Sequence, residues 1–231
     1  NYYYAGQNFT EIEKSSTDPK DGAYKAIAMI MKAYLMHNLV DIWGNVPYSE
    51  AFKTEEGILK PKYDDQKAIY EDLIVKLDAA IKIIQDLPAD AAEIPTSSDI
   101  VYGGDVTKWA KFANTLKLRM LVHQSGMTGR DSYIKSAIAT TASVGYLGAG
   151  EGALSNPGYL NSGSVSAGTS KMNPFYARYY EANGSSRADG ITYHNAGKDV
   201  IEFMRANEDP RMSRFFNATA SGKFDGNTLG I

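Results

Sequence analysis

The side chains that most often bind metals or move protons are few in this sequence. Three histidines, His37, His123 and His194, stand far apart in the chain. No His-x-x-x-His pair sets two imidazoles on one helix face for zinc. A lone histidine is more often structural than a ligand, so each is read as a helix-surface or loop residue, and neither a metal site nor a cofactor is expected. The absence of cysteine removes a thiolate nucleophile, a Cys-ligated zinc and a disulfide framework. Gly145-Tyr146-Leu147-Gly148-Ala149-Gly150 lacks the Lys-Ser/Thr of a phosphate loop. Gly163-Ser164-Val165-Ser166-Ala167-Gly168 has the wrong spacing for a nucleophile elbow. The adjacent Glu55-Glu56 pair reads as a solvated loop. Asp225-Gly226-Asn227 lacks the frame and distal Glu of a calcium loop and reads as a turn. No catalytic residue is assigned, and an enzyme is not expected.

The unusual inventory is aromatic, with 16 Tyr against 2 Trp and 8 Phe. Tyr34 and Tyr70 fall on helical stripes and read as core. Tyr159, Tyr176, Tyr179, Tyr180 and Tyr193 fall outside them. A tyrosine offers a flat apolar face and a hydroxyl, which suits a sugar ring or an extended polymer. It equally suits a loop pinned to a helix, the hydroxyl finding a buried partner.

The elements that must carry these side chains are helical in the first part of the chain. Asp18-Pro19 is an N-cap and first-turn signal for the first strong helix. Ala23, Ile27, Ile30, Met31, Tyr34 and Leu35 recur at helical spacing, with Ala26, Met29, Ala33 and Met36 on a second flank. Burial on two sides is therefore expected, up to a stop at Trp43-Gly44. A second helix follows Asp64 or Asp65, with Ile69, Tyr70, Leu73, Ile74, Leu77, Ile81 and Ile84 as its stripe and Pro88 as its end. A third is capped by Asp105, with Trp109, Phe112, Ala113, Leu116 and Met120 on one face and Gly126 at its end. A shorter one spans about 131–143. The three long-helix caps at 18, 64 and 105 are 46 and 41 residues apart, which predicts an irregular stack of hairpins rather than a strict solenoid. From Gly145 to Asn173 the chain is rich in Gly, Ser and Asn without helical period. A further helix is predicted over 198–206, with Val200, Ile201 and Met204 inward, before the turn Asp209-Pro210-Arg211.

The 231 residues and 43% hydrophobic content exclude a wholly disordered chain. No apolar run approaches the roughly 20 residues of a membrane-spanning helix. A net charge of −3 argues against a nucleic-acid partner. The chain opens Asn1-Tyr2-Tyr3-Tyr4 and closes in a glycine-rich tail, which reads as a fragment or processed form.

Three segments carry a resemblance. The first runs Ala33-Tyr34-Leu35-Met36-His37-Asn38-Leu39-Val40-Asp41-Ile42-Trp43-Gly44-Asn45-Val46-Pro47-Tyr48-Ser49-Glu50-Ala51. The second is Trp109-Ala110-Lys111-Phe112-Ala113-Asn114-Thr115-Leu116-Lys117-Leu118-Arg119-Met120. The third is Asn173-Pro174-Phe175-Tyr176 with the later Asp209-Pro210-Arg211-Met212. In this order they resemble the SusD/RagB family of Bacteroidetes surface lipoproteins, most weakly from Val144 to Lys171.

The resemblance implies an all-α fold of tetratricopeptide-like helical hairpins with a long irregular loop region packed on them. It implies one SusD-like domain, 1–231, with a hairpin scaffold over 1–143 and a loop-rich region over 144–231. It further implies a protein lipid-anchored on the outer face of the outer membrane, through an anchor outside this chain. Such a protein binds an oligosaccharide or a peptide and serves a SusC-like TonB-dependent transporter without catalysis. Trp43, Gly44, Pro47, Asn114 and Arg119 are assigned to the scaffold, the last two as bonds to loop carbonyls. Tyr159, Tyr176, Tyr179, Tyr180 and Arg187 are the expected ligand contacts. A peptide-binding protein of the same architecture would use Arg178 or Arg187 as a chain-end anchor. A helical scaffold that binds only a partner protein would take no small ligand.

Overall fold

A computed structural model describes residues 2–155, 158–163, 170–187 and 195–228. The chain divides into two compact units, residues 1–156 and 157–231. The fold is all-α, and the described residues include two short strands.

The first unit is built on α2 (Gly22–Trp43), a helix with apolar residues on nearly every side. It packs against α1 (Tyr2–Ser15) and against α3 (Gln66–Gln85), which in turn packs on α4 (Val106–His123). The expected two-sided burial is thus present, although the buried set differs from the predicted stripes. Ala26, Ala28, Ile30, Ala33, Met36, His37, Leu39 and Val40 are buried, while Ile27, Met31, Tyr34 and Leu35 are only partly so. The core continues through Ile69, Leu73, Leu77 and Ile81 of α3 and Trp109, Ala113, Leu116 and Met120 of α4.

Most caps lie where the residue types placed them. Asp65, not Asp64, caps α3 by accepting from Ala68 N, and Asp105 caps α4 by accepting from Lys108 N. Asp18 accepts from Lys20 N, but it caps a single 3-10 turn, Pro19–Asp21, and the α-helix starts at Gly22. Gly44 closes α2 at φ +70°, a left-handed value that glycine adopts without steric cost. α4 ends at His123, short of Gly126. α5 (Asp131–Thr140) passes into a 3-10 turn at Ala142–Val144 and does not run to 143 as one helix.

The largest departure is α1, an element that no cap signal announced. Only Gly6 and Thr10 are buried in it, and it packs on α2, so its helix depends on that neighbour. Tyr3 Oη donates to Pro47 O at 2.8 Å, which ties α1 to the segment after α2.

The two segments of the resemblance in this unit are structural. After Gly44, Asn45 Oδ1 accepts from Gln66 N at 2.9 Å, and β1 (Val46–Pro47) pairs antiparallel with β2 (Tyr63–Asp64). Trp43 is exposed and meets the ring of Tyr2 edge-on at 6.4 Å. In α4, Asn114 Nδ2 donates to Thr141 O and Gly145 O at 3.1 and 2.9 Å, as expected of a bond to loop carbonyls. Arg119 is exposed and makes no such bond among the described residues; its position on the outer face of α4 turns it from the loop.

Two buried polar centres lock this unit. Lys117 is 1% exposed, and its ammonium donates to Asp78 Oδ1 at 2.6 Å, to Thr141 Oγ1 at 3.1 Å and to the Thr140 hydroxyl. Those three acceptors match the three donors of an ammonium. Asp99, in the turn before α4, accepts from Val101 N, Tyr102 N, Gly104 N and Trp109 Nε1 at 2.8–3.1 Å. Burial raises its carboxyl pKa, but these four donors outweigh that and hold it below the ordinary carboxylate value.

The second unit holds α6 (Pro174–Tyr179), α7 (Lys198–Ala206) and α8 (Met212–Phe215). In α7, Ile201 and Met204 are buried but Val200 is exposed, because residue 200 lies one helical step of 100° from residue 201. Asp225-Gly226-Asn227 does more than turn: Asn227 bridges Gly197 in parallel, with Lys198 N donating to Asn227 O at 2.9 Å.

Asp78→Ala strands the buried ammonium of Lys117 and is expected to cost about 3–5 kcal/mol in urea unfolding. Lys117→Met is expected to cost less, since it removes the charge together with its need for partners. Asp99 has a lowered folded pKa, so it stabilises the fold above about pH 4 and that share is lost as pH falls through the folded value. Asp99→Asn is expected to flatten the fall of Tm below about pH 4.

Candidate ligand-binding site

The third segment of the resemblance builds the aromatic surface. Asn173 Oδ1 accepts from Phe175 N at 2.9 Å and Tyr176 N at 3.3 Å, and Pro174 takes the first helical position, where no N–H is needed. This short helix escaped the periodicity reading because six residues hold fewer than two turns. The signal that finds it is the Asn-Pro cap.

Residues four apart on a helix share a face, and α6 uses this twice. Tyr176 and Tyr180 stack with centroids 4.9 Å apart and planes at 25°. Phe175 and Tyr179 form a second pair at 5.0 Å and 60°. After α6 the chain doubles back. Tyr180 bridges Ser186, Arg187 N donates to Tyr179 O at 2.8 Å, and Glu181 N donates to Ser185 O at 2.9 Å.

Beside the Tyr176 face is a cavity of about 370 Å³ lined by Tyr159, Leu160, Asn161, Met172, Asn173 and Tyr176. Leu160 N donates to Lys171 O at 2.9 Å and Lys171 N to Ser162 O at 3.0 Å, so residues 159 and 172 are brought together by backbone pairing. Met172 is buried beneath them. Tyr159 stays 67% exposed and Tyr176 37%, which leaves aromatic face available to a ligand.

The five residues assigned from sequence do not all occupy one place. Tyr159 and Tyr176 line the cavity, and Tyr180 stacks on Tyr176. Tyr179 is half-buried against Phe175. Arg187 donates to Glu181 Oε1 at 2.8 Å, an ion pair that latches the returning chain onto the segment after α6. Tyr193 and His194 lie outside the described residues. Sequence reasoning missed Leu160, Asn161 and Met172, since nothing in a Gly/Ser-rich stretch marks which residues turn toward a cavity.

The helical unit holds a second polar constellation. His37 and His123, 86 positions apart in the chain, have ring centroids 5.2 Å apart. Asp41 stands between them, its Oδ2 3.2 Å from His37 Nε2 and 3.1 Å from His123 Nδ1. Tyr70 Oη donates to the other oxygen, Asp41 Oδ1. His37 is fully buried, and burial, offset in part by Asp41 and reinforced by His123 and Arg119, pushes its pKa down to about 4. The reading of His37 as a helix-surface residue is corrected here, since it is fully buried; His123 is an exposed helix residue as expected, and the α2 and α4 faces bring the two rings together.

Helical hairpins of tetratricopeptide-like architecture in the first unit and an aromatic-walled cavity in the second define the class. The particular family follows from the match of residues 1–231 to SusD-like proteins described as starch-binding and associating with the outer membrane, and the chain belongs to that family. A SusD-like protein of Bacteroides thetaiotaomicron is similar in structure, with 26% identity, a TM-score of 0.65, and coverage of 99% of this chain and 43% of that one. A SusD homologue of Bacteroides uniformis has 23% identity, a TM-score of 0.67, and coverage of 97% and 43%. A chitin-binding protein has 24% identity, a TM-score of 0.64, and coverage of 98% and 46%. This chain thus spans less than half the length of these solved relatives. No curated protein matches the sequence. Among the described residues no helix is long and apolar enough to cross a membrane.

Asn173→Ala removes the acceptor for two N–H groups of α6 and is expected to cost about 1 kcal/mol locally. Faster amide exchange at Phe175 and Tyr176, with exchange in α2 and α3 unchanged, is the outcome that checks it.

Proposed function

We propose that the protein binds an oligosaccharide without breaking a bond and passes it to a SusC-like TonB-dependent transporter, working from the outer face of the outer membrane. The observation that carries the binding step is the stacked Tyr176–Tyr180 pair beside the cavity walled by Tyr159 and Tyr176. A pyranose ring has one face of axial C–H groups, and an aromatic ring covers that face while its edge hydroxyls seek polar partners. Asn161 and Asn173 on the cavity wall supply amide groups of that kind. Binding then depends on shape and on stacked area, the usual economy of a small-molecule site with few polar anchors.

Membership of a family described as starch-binding and outer-membrane-associated supports the ligand class and the location. The lipid anchor and the transporter partner rest on the family resemblance. Arg187 has less to offer as an anchor for a peptide end, because its guanidinium already pairs with Glu181. That observation favours the glycan over the peptide.

Calorimetric titration against soluble starch fragments, other glucans and chitin oligosaccharides tests this reading. One glycan of the panel is expected to bind, and Tyr176→Ala is expected to weaken it by about 1–2 kcal/mol, the order of one lost aromatic stack. Tyr159→Ala is expected to act in the same direction and Arg187→Ala to act less. Full affinity for the bound glycan in both tyrosine variants would remove this cavity from the site.

A further inference from the structure

The geometry points to a divalent transition-metal site made by His37 Nε2, Asp41 Oδ2 and His123 Nδ1, with zinc as the ion whose preferences the donors fit.

The three donor atoms converge within 4.8 Å of one another. The two edges that meet at Asp41 Oδ2 are 3.2 and 3.1 Å. Zinc bonds of about 2.0–2.2 Å to nitrogen and oxygen require edges of roughly 3.3–3.5 Å in a tetrahedron. Both carboxylate edges thus lie within a few tenths of an ångström of tetrahedral values, and the remaining edge, between the two imidazole nitrogens, is within 4.8 Å, so a rotation of the exposed His123 ring would bring the third corner in. His37 and Asp41 are one turn apart on α2, and His123 comes from the last turn of α4, so two core-packed helices hold the set.

The buried histidine provides an independent indication. His37 is fully buried, and neither of its ring nitrogens has a hydrogen-bond partner. The 3.2 Å approach of Nε2 to Asp41 lacks the alignment of a hydrogen bond. Leaving a buried polar group unsatisfied costs about 1–3 kcal/mol, and a metal would give Nε2 the partner it lacks. Tyr70 acts as a positioning residue, since its hydroxyl holds Asp41 Oδ1 and thereby aims Oδ2 at the two imidazoles.

Asp41, Tyr70 and His123 line a cavity of about 640 Å³, together with Gln66, Lys67 and Gln124. Water from that cavity would complete the fourth corner. Two imidazoles and one carboxylate suit zinc and its neighbours, whereas calcium and magnesium prefer sets made wholly of oxygen. The ion would clamp α2 to α4 and needs no part of the tyrosine cavity.

The test is calorimetric titration of the chelator-treated chain with zinc chloride, followed by thermal unfolding with and without zinc. One zinc per chain is expected, with a raised Tm and with calcium chloride giving no binding. His123→Gln and Asp41→Asn are each expected to weaken zinc at least about tenfold, or about 1.4 kcal/mol, while the metal-free Tm of His123→Gln stays near that of the parent. His194→Ala is expected to leave zinc affinity unchanged. Absence of one-to-one binding, unchanged affinity in both ligand variants, or loss of binding in His194→Ala would each overturn the assignment.

Discussion

Lys117 is the charge around which the helical unit is arranged. An ammonium at 1% exposure is tolerated only when every N–H has an acceptor, and here three helices contribute to that requirement. α4 brings the lysine, α3 brings Asp78, and the end of α5 with its following residue brings Thr140 and Thr141. Asn114, one turn before Lys117, accepts from the same Thr141 hydroxyl at 2.6 Å and donates to two carbonyls of the chain beyond α5. A shift of any one element would leave a polar group buried without a partner. Apolar packing alone permits helices to slide, whereas a satisfied polar network admits a single register. The segment from Trp109 to Met120 thus derives its character from two structural demands, the Asp99–Trp109 bond at its start and the Lys117 centre near its end.

The aromatic surface obeys a different constraint. It is built from local geometry: an Asn-Pro cap starts a short helix, and the four-residue spacing of Phe175/Tyr179 and Tyr176/Tyr180 pairs the rings. The ring pairs are thereby set by the short helix and the residue that follows it. Tyr159 reaches the same cavity from a separate stretch through the pairing of Leu160 with Lys171.

The helical architecture was legible in the residues because caps and stripes are local. Asp65, Gly44 and Asp105 act where their types and spacing placed them. α1 was not legible, since only two of its residues are buried and most of its stability comes from α2. Arg119 illustrates the reverse error: a polar residue inside a recurring motif points to solvent, while its neighbour Lys117, which drew no attention, is buried. Of the candidate contacts, Tyr159 and Tyr176 share a cavity through the pairing of residues 160 and 162 with 171, while the pairing of 180 with 186 after α6 leaves Arg187 held by Glu181.

The amino-acid sequence by itself determined the long helices α2, α3 and α4 and most of their ends, because hydrogen-bonded turns and hydrophobic period act over four residues or fewer, and three of its segments carried the family resemblance. Only the tertiary structure decided which distant side chains meet. His37 and His123 carry no common motif, and they face one another because α2 and α4 present those positions where their surfaces come together. The same holds for Lys117 with Asp78, 39 positions apart in the chain. Local chemistry sets the elements, but the burial of apolar surface between them sets their mutual placement, and that placement creates both the polar lock and the histidine pair.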